Sequence, residues 1–421
     1  MRLPAVAFSA VCALLLPVSA AKAQIPAWIG RNLSPLWSWF DPSTAPFIPV
    51  PEIGTDPNGG TTIGVLPILL TTDENREITR ILAPDIVYNQ FLGYGAHARI
   101  LEYPSQGTQW SAQANIAEHA ERGVDLQYAT GLTRSDTWSY SVRLLYDRTA
   151  TYRFFGLGNS TSHDAQSNYT GEQVYADSVL GWNAAPSLQI GWMFRPRFIE
   201  IEPGFLSTLP STTQAFPGLP GLGTQHDLFN RVFVSYDTRD SINLPSKGSQ
   251  VVVGAGFSDR ALGSSASYSV MSLDVRHYLP LDERFTLAAH VALRYLPTGG
   301  DAPFWAQGSL GGDRSINGQQ QPLRGFGEGR FIDRNLFSAG AELRSRVADL
   351  DLFATHVSVQ IAPFVEFGKV FHDASDWPLN RLHTAVGIGF RAIAQPFIVG
   401  YVDIGYGSEG TAVFSGINYP F

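Results

Sequence analysis

Arg284-Phe285-Thr286-Leu287-Ala288-Ala289-His290-Val291-Ala292-Leu293-Arg294-Tyr295 decides the fold. Phe285, Leu287, Ala289, Val291, Leu293 and Tyr295 fall on one side of an extended chain, and Arg284, Thr286, His290 and Arg294 on the other, because Cβ atoms alternate sides along a strand. A soluble sandwich turns such a polar face to bulk water, whereas an outer-membrane barrel turns it into a wet lumen and gives the apolar face to lipid. Residues 335–346 repeat the arrangement, with Ser338, Gly340, Glu342, Arg344 and Arg346 inward and Phe337, Ala339, Ala341 and Leu343 outward.

Composition points the same way. The chain has 26 Phe, 16 Tyr, 9 Trp and 41 Gly, only 16% of its residues are charged, and helical periodicity is absent. Past the first residues, no stretch approaches the roughly 18 to 20 apolar residues of a transmembrane helix, which leaves a β-barrel. Arg2, the apolar run Leu3 to Ala20 and Ala21-Lys22-Ala23 before Gln24 read as a cleaved secretory signal over residues 1–23. The one cysteine, Cys12, lies inside it, so the mature chain is expected to carry neither thiol nor disulfide. Without Arg2 and Lys22 the net charge of −8 becomes −10 (27 basic against 37 acidic residues), which argues against a nucleic-acid partner.

Residues 24–59 hold Pro26, Pro35, Pro42, Pro46, Pro49, Pro51 and Pro57 and show no periodic pattern. They read as an extended periplasmic lead-in, with the barrel domain expected over 60–421. Period-two segments from 61–71, through one long strand at 85–103, to 411–421 give about sixteen antiparallel strands. An even number places both termini on the periplasmic side, and the long connections 149–169, 199–226 and 298–334 on the outside. The longest of these, between the eleventh and twelfth strands, is expected to fold inward.

That loop carries Leu323-Arg324-Gly325-Phe326, preceded by Gly311-Gly312 and followed by Glu342 in Ala341-Glu342-Leu343-Arg344 and Glu366 in Phe364-Val365-Glu366-Phe367-Gly368. With Phe154-Phe155-Gly156-Leu157-Gly158-Asn159 and Tyr236-Asp237-Thr238-Arg239-Asp240, followed by Pro245 and Gly248, the pattern resembles the BamA/TamA-like bacterial surface antigens, the outer-membrane assembly-factor superfamily. The resemblance covers residues 150–421 well and the first strands loosely. It implies that the loop arginine folds into the lumen and pairs with acidic residues at the positions of Glu342 and Glu366, the latter standing where the family usually has Asp. Independently of the family, alternation puts Glu342 and Glu366 in the lumen, and an arginine fork is able to bridge two carboxylates. The plain alternative is a solvated loop arginine.

Two further features belong to the termini. Gly416, Tyr419 and Phe421, with Ile417 and Val413, resemble the C-terminal signal by which barrel proteins are recognised and inserted, although Phe414 stands where a polar residue is usual. Pro67 and Pro420, which lack a ladder donor, mark a candidate lateral seam between the first and last strands. The resemblance implies release of substrate strands into lipid through such a seam.

Searches for chemistry are negative: no metal-binding His-Glu-x-x-His, no P-loop and no Gly-x-Ser-x-Gly elbow occurs, so no catalytic residue, cofactor or metal is expected. His290 and His163 read as polar lining and loop residues. The expected task is assistance in polypeptide insertion or translocation, or in lipid handling, at the outer membrane. Outer-membrane lipid, lipopolysaccharide and a separate periplasmic protein are the expected partners, because residues 24–59 are too short for a polypeptide-binding module. A passive porin is the main alternative, and an outer-membrane hydrolase a lesser one.

Overall fold

The structure, a computed structural model, describes residues 48–56, 58–73, 78–105, 107–298, 300–315, 319–352, 355–376, 379–394 and 398–417. The expected signal peptide, the segment 24–47 and Tyr419, Pro420 and Phe421 lie outside them.

Strands follow one another almost without interruption: β1 (Ile48–Asp56), β2 (Gly60–Thr72), β3 (Ile78–Leu82), β4 (Asp85–Asn89), β5 (Gly93–Ser105), β6 (Thr108–Ala117), β7 (Arg122–Thr130), β8 (Trp138–Phe154), β9 (Ser167–Ala185), β10 (Leu188–Pro203), β11 (Gly223–Asp237), β12 (Gly248–Ser258), β13 (Tyr268–Pro280) and β14 (Phe285–Tyr295). The short strands β15 (Gly308–Leu310), β16 (Gln320–Gln321) and β17 (Phe331–Asp333) make a separate small sheet. The large sheet resumes with β18 (Asn335–Leu352), β19 (Thr355–Phe371), β20 (His383–Ala394), β21 (Ile398–Gly407) and β22 (Gly410–Ile417).

Neighbouring strands pair antiparallel throughout, and β1 also meets β22 at Thr55↔Val413, so the ring of pairings returns to its start. The sheet has nineteen strands, but β3 and β4 lie end to end between β2 and β5, separated by Ala83-Pro84, and count as one, which leaves eighteen positions. This corrects the expectation of about sixteen. One extra strand is β1, inside the proline-rich segment read as a lead-in; the other comes from dividing 85–103. There the Asn89 carboxamide oxygen accepts from the amides of Phe91 (2.8 Å) and Leu92 (3.1 Å) and turns the chain. Adding two strands keeps the number even, so parity alone does not distinguish the two counts. The long inward loop therefore follows the thirteenth strand position, β14, and precedes the fourteenth, β18.

The chemistry is that of a cylinder turned inside out. Trp192 and Phe198 of β10 are about half exposed, while Met193, Arg195 and Arg197 between and beside them are buried. Val232, Val234 and Tyr236 of β11 face outward likewise, and Asp227 inward. Apolar exposure of this regularity suits lipid contact, and buried charge suits a lumen.

At the end opposite the start of β1 and the close of β22, two apolar clusters tie the long loops to the inner wall. One joins Met193, Phe229, Tyr268, Val270 and Leu296 to Ala302 and Ala306; the other joins Phe154, Tyr169, Ile199 and Ile201 to Leu219, Phe304 and Ile332. Towards the other end, a cavity of about 510 Å³ remains, lined by Gln109, Gln113, Gln127, Arg143, Asp177 and Tyr278 among others.

Candidate functional site

The loop between β14 and β18 folds back on itself before it reaches the wall. The Leu323 amide donates to the Gly312 carbonyl and the Gly312 amide to the Phe326 carbonyl, both at 3.0 Å, so Leu323 to Phe326 stand as a tight tip. Leu323 and Phe326 are buried with Leu310, Phe331, Leu336, Val370 and Ala385. Burial of these apolar neighbours places Arg324 between them, pointing at β18, β19 and β21.

Arg324 has no exposed surface. Its Nε donates to Glu366 Oε1 at 2.7 Å and its backbone amide to Glu366 Oε2 at 2.6 Å, so both carboxylate oxygens hold the same residue. Nη1 donates to Asp403 Oδ2 at 2.7 Å and reaches Glu342 Oε2 at 3.4 Å. The guanidinium lies 3.6 Å above the Phe364 ring, a cation–π contact from the wall itself. Glu342 is shared: Arg344 Nε donates to its Oε1 at 2.7 Å and Arg391 Nη2 to its Oε2 at 3.0 Å, and Arg391 also stands 3.3 Å from Asp403 Oδ1. Three arginines thus face three carboxylates, and the buried charge balances.

Geometry differs from the sequence reading in one respect. Arg324 sits against Glu366 and Asp403 more closely than against Glu342, which the resemblance had paired with it beside Glu366. Asp403 and Arg391 went unnoticed in the sequence. A signal was present in Tyr401-Val402-Asp403-Ile404-Gly405-Tyr406-Gly407, where alternation puts Asp403 on one face with two glycines. Those glycines let the tip approach: a Cβ at Gly405 would stand 1.8 Å from the Arg324 carbonyl oxygen, and one at Gly407 2.6 Å from the Phe326 ring.

A second clasp lies nearer the loop-side rim. Arg330 is sandwiched between Phe155 (4.3 Å) and Phe331 (4.5 Å), and it donates to Glu409 Oε1 (2.8 Å) and to the Thr161 carbonyl (2.8 Å). The segment Phe154 to Asn159 joins it, because the Gly158 amide donates to the Ile332 carbonyl (2.8 Å) and Asn159 Oδ1 accepts from the Val370 amide (3.1 Å). At the rim where β1 starts, Arg344 also donates to the Pro245 carbonyl at 3.3 Å in the β11–β12 turn, where Arg239 folds back on Asp237 at 2.8 Å. Hydrogen bonds therefore run from the loop tip through Glu342 and Arg344 to the opposite rim.

The terminal features are placed in part. Gly416 pairs with Tyr401 in β22; its companions Tyr419 and Phe421, and the seam residue Pro420, lie outside the described residues. Pro67 belongs to β2, which corrects its assignment to the first strand: it pairs with Pro49 of β1 and lies beside the Ala83-Pro84 break. The strand that meets β22 is β1. His290 is buried in the lumen 3.4 Å from Asp274.

A closed antiparallel sheet with apolar exterior, charged interior and an arginine-tipped loop docked inside defines a transmembrane β-barrel of the outer-membrane type. The chain belongs to the Omp85 superfamily: residues 105–397 match the Omp85 superfamily domain. Among solved structures it is similar to BamA from Haemophilus ducreyi lacking POTRA domains 1–3, at 16% identity and a TM-score of 0.50, over 93% of this chain and 78% of that one. It is also similar to CdiB from Escherichia coli, at 11% identity and a TM-score of 0.56, over 89% and 67% of the two chains. At these identities the likeness is one of fold. No curated protein matches by sequence.

Proposed function

We propose that this barrel assists the insertion or translocation of polypeptides, or the handling of lipids, at the outer membrane, without catalysis and without a cofactor. One observation carries the reading: a loop held across the lumen by a buried, charge-balanced arginine site, in a barrel whose ends meet at the single register pair Thr55↔Val413 among the described residues. Outer-membrane lipid and lipopolysaccharide surround the barrel in this account, and a separate periplasmic protein delivers the substrate.

The test reconstitutes the protein into liposomes and follows the folding of an added, urea-unfolded outer-membrane barrel by its heat-modifiable gel mobility. Folding faster than in empty liposomes, and slowed by Arg324→Ala, is the expected result. Equal rates with and without the protein, together with steady conductance in planar bilayers that is insensitive to deletion of residues 311–330, would instead make it a porin.

A further inference from the structure

On the lumen face of β9 to β14, five arginines (Arg195, Arg197, Arg231, Arg276 and Arg294) meet three aspartates (Asp177, Asp227 and Asp274). Arg195 is paired with Asp177 at 2.8 Å and Arg276 with Asp274 at 2.9 Å. Arg197 is stacked between the Tyr175 and Trp305 rings, 5.3 Å from each, with Asp227 as its cross-strand neighbour. That leaves Arg231 and Arg294, neither of which has a carboxylate within 4.0 Å among the described residues.

These two converge. Arg231 Nη2 donates to Ser272 Oγ at 3.0 Å, and Ser272 is the cross-strand partner of Arg294. Arg294 Nη2 donates to the Ala306 carbonyl of the inward loop at 2.6 Å. Between β11 and β13 the wall is Gly254, paired with Ser272; a Cβ there would stand 2.5 Å from Arg231 Nε, so the guanidinium rests on bare backbone. The Nε–H groups of both arginines are buried and meet no protein acceptor. Two cations and a hydroxyl in adjoining rows of the wall, with donors left over and no carboxylate in ion-pair contact with either arginine among the described residues, form an arrangement that an anion would complete.

We propose that Arg231, Arg294 and the Ser272 hydroxyl form a binding site for a phosphate-sized oxyanion inside the barrel. Guanidinium donors match the spacing of oxyanion oxygens, and Ser272 supplies a neutral donor beside them. The 510 Å³ cavity lies beside this group: its lining includes Met193, the cross-strand partner of Arg231, together with Asp177 and Arg276. A free ion fits this position inside the lumen better than a lipid headgroup, whose acyl chains would have to leave the bilayer. This inference does not depend on the proposed insertion role.

The test follows thermal unfolding of the purified protein in detergent, by loss of its β-sheet circular dichroism, while inorganic phosphate replaces chloride at constant ionic strength. A saturable rise in Tm of a few degrees is expected for the wild type. The rise disappears in Arg231→Met and in Arg294→Met, and persists in Arg260→Gln, a change at an exposed arginine paired with Asp301. Glycerol 3-phosphate serves as the second arm: stabilisation by inorganic phosphate alone assigns the site to the free ion, and stabilisation by both assigns it to a phosphate group carried on a larger molecule. Should the methionine variants not fold, broadening of the phosphate ³¹P resonance by wild-type protein, reversed by excess sulfate, supplies the same evidence. Identical Tm in phosphate and chloride with no line broadening overturns the proposal.

Discussion

Arg324 is the residue on which the loop hangs. Its charge is buried against Glu366, Asp403 and Glu342, and removing one partner of a buried pair leaves the other uncompensated, at about 3–5 kcal/mol. Asp403→Asn and Glu366→Gln are therefore expected to lower the urea midpoint of the detergent-solubilised barrel and to open the loop to protease, with Glu342→Gln acting also through Arg344 and Arg391. An unchanged midpoint and an uncut loop in both of the first two variants would count against docking. Glu121, in the turn between β6 and β7, gives a pH prediction: burial, and then the neighbouring Asp147, push its carboxyl up to about 7 from 4.5. A raised value in the folded state means that the stability it contributes is complete below about 4.5 and lost as pH rises through about 7. Tm should fall over that window, and Glu121→Gln should flatten this part of the profile. Glu342 and Glu366 were legible because period two fixes their face. Asp403 was not, since it lies 79 residues beyond Arg324 and alternation identifies a lumen residue without saying which lumen residues face each other.

At the level of elements, the loop from β14 to β18 and the wall strand β21 are fitted to one another. Gly405→Ala places a methyl group within 1.8 Å of the Arg324 carbonyl oxygen, so the tip must shift or β21 must bend. Overpacking of this kind typically costs about 1–3 kcal/mol. The expected outcome is a protease-sensitive loop with little change in β-sheet circular dichroism, whereas Gly400→Ala, which meets nothing within 4 Å, should be silent. The strands with strict alternation, β14 and β18, were readable from sequence. β1 was not, because Pro49 and Pro51 suppress the strand signal, yet it pairs along its full length with β2. The β4–β5 turn was missed because its chemistry sits in one Asn89 side chain inside a continuous extended pattern.

Over the whole molecule, the exterior is what lipid selects and the interior is what a docked loop needs, and the ring of strands closes where β1 meets β22. Pro49 and Pro67 stand opposite each other across the β1–β2 ladder, beside that closure, and neither is able to donate a ladder hydrogen bond. We propose that the sheet parts at the β1–β22 closure, where the described residues show one register pair. The class of barrel was legible from alternation and composition; its eighteen positions were not, because the first strands carry the weakest pattern in the chain. The most direct test of the account is a reversible lock, with Thr55→Cys and Val413→Cys placed at facing positions of β1 and β22, whose Cα separation as a cross-strand pair suits a disulfide. In liposomes, the oxidised double variant should lose its acceleration of substrate-barrel folding and regain it on reduction. Equal acceleration in the oxidised and reduced states would contradict it.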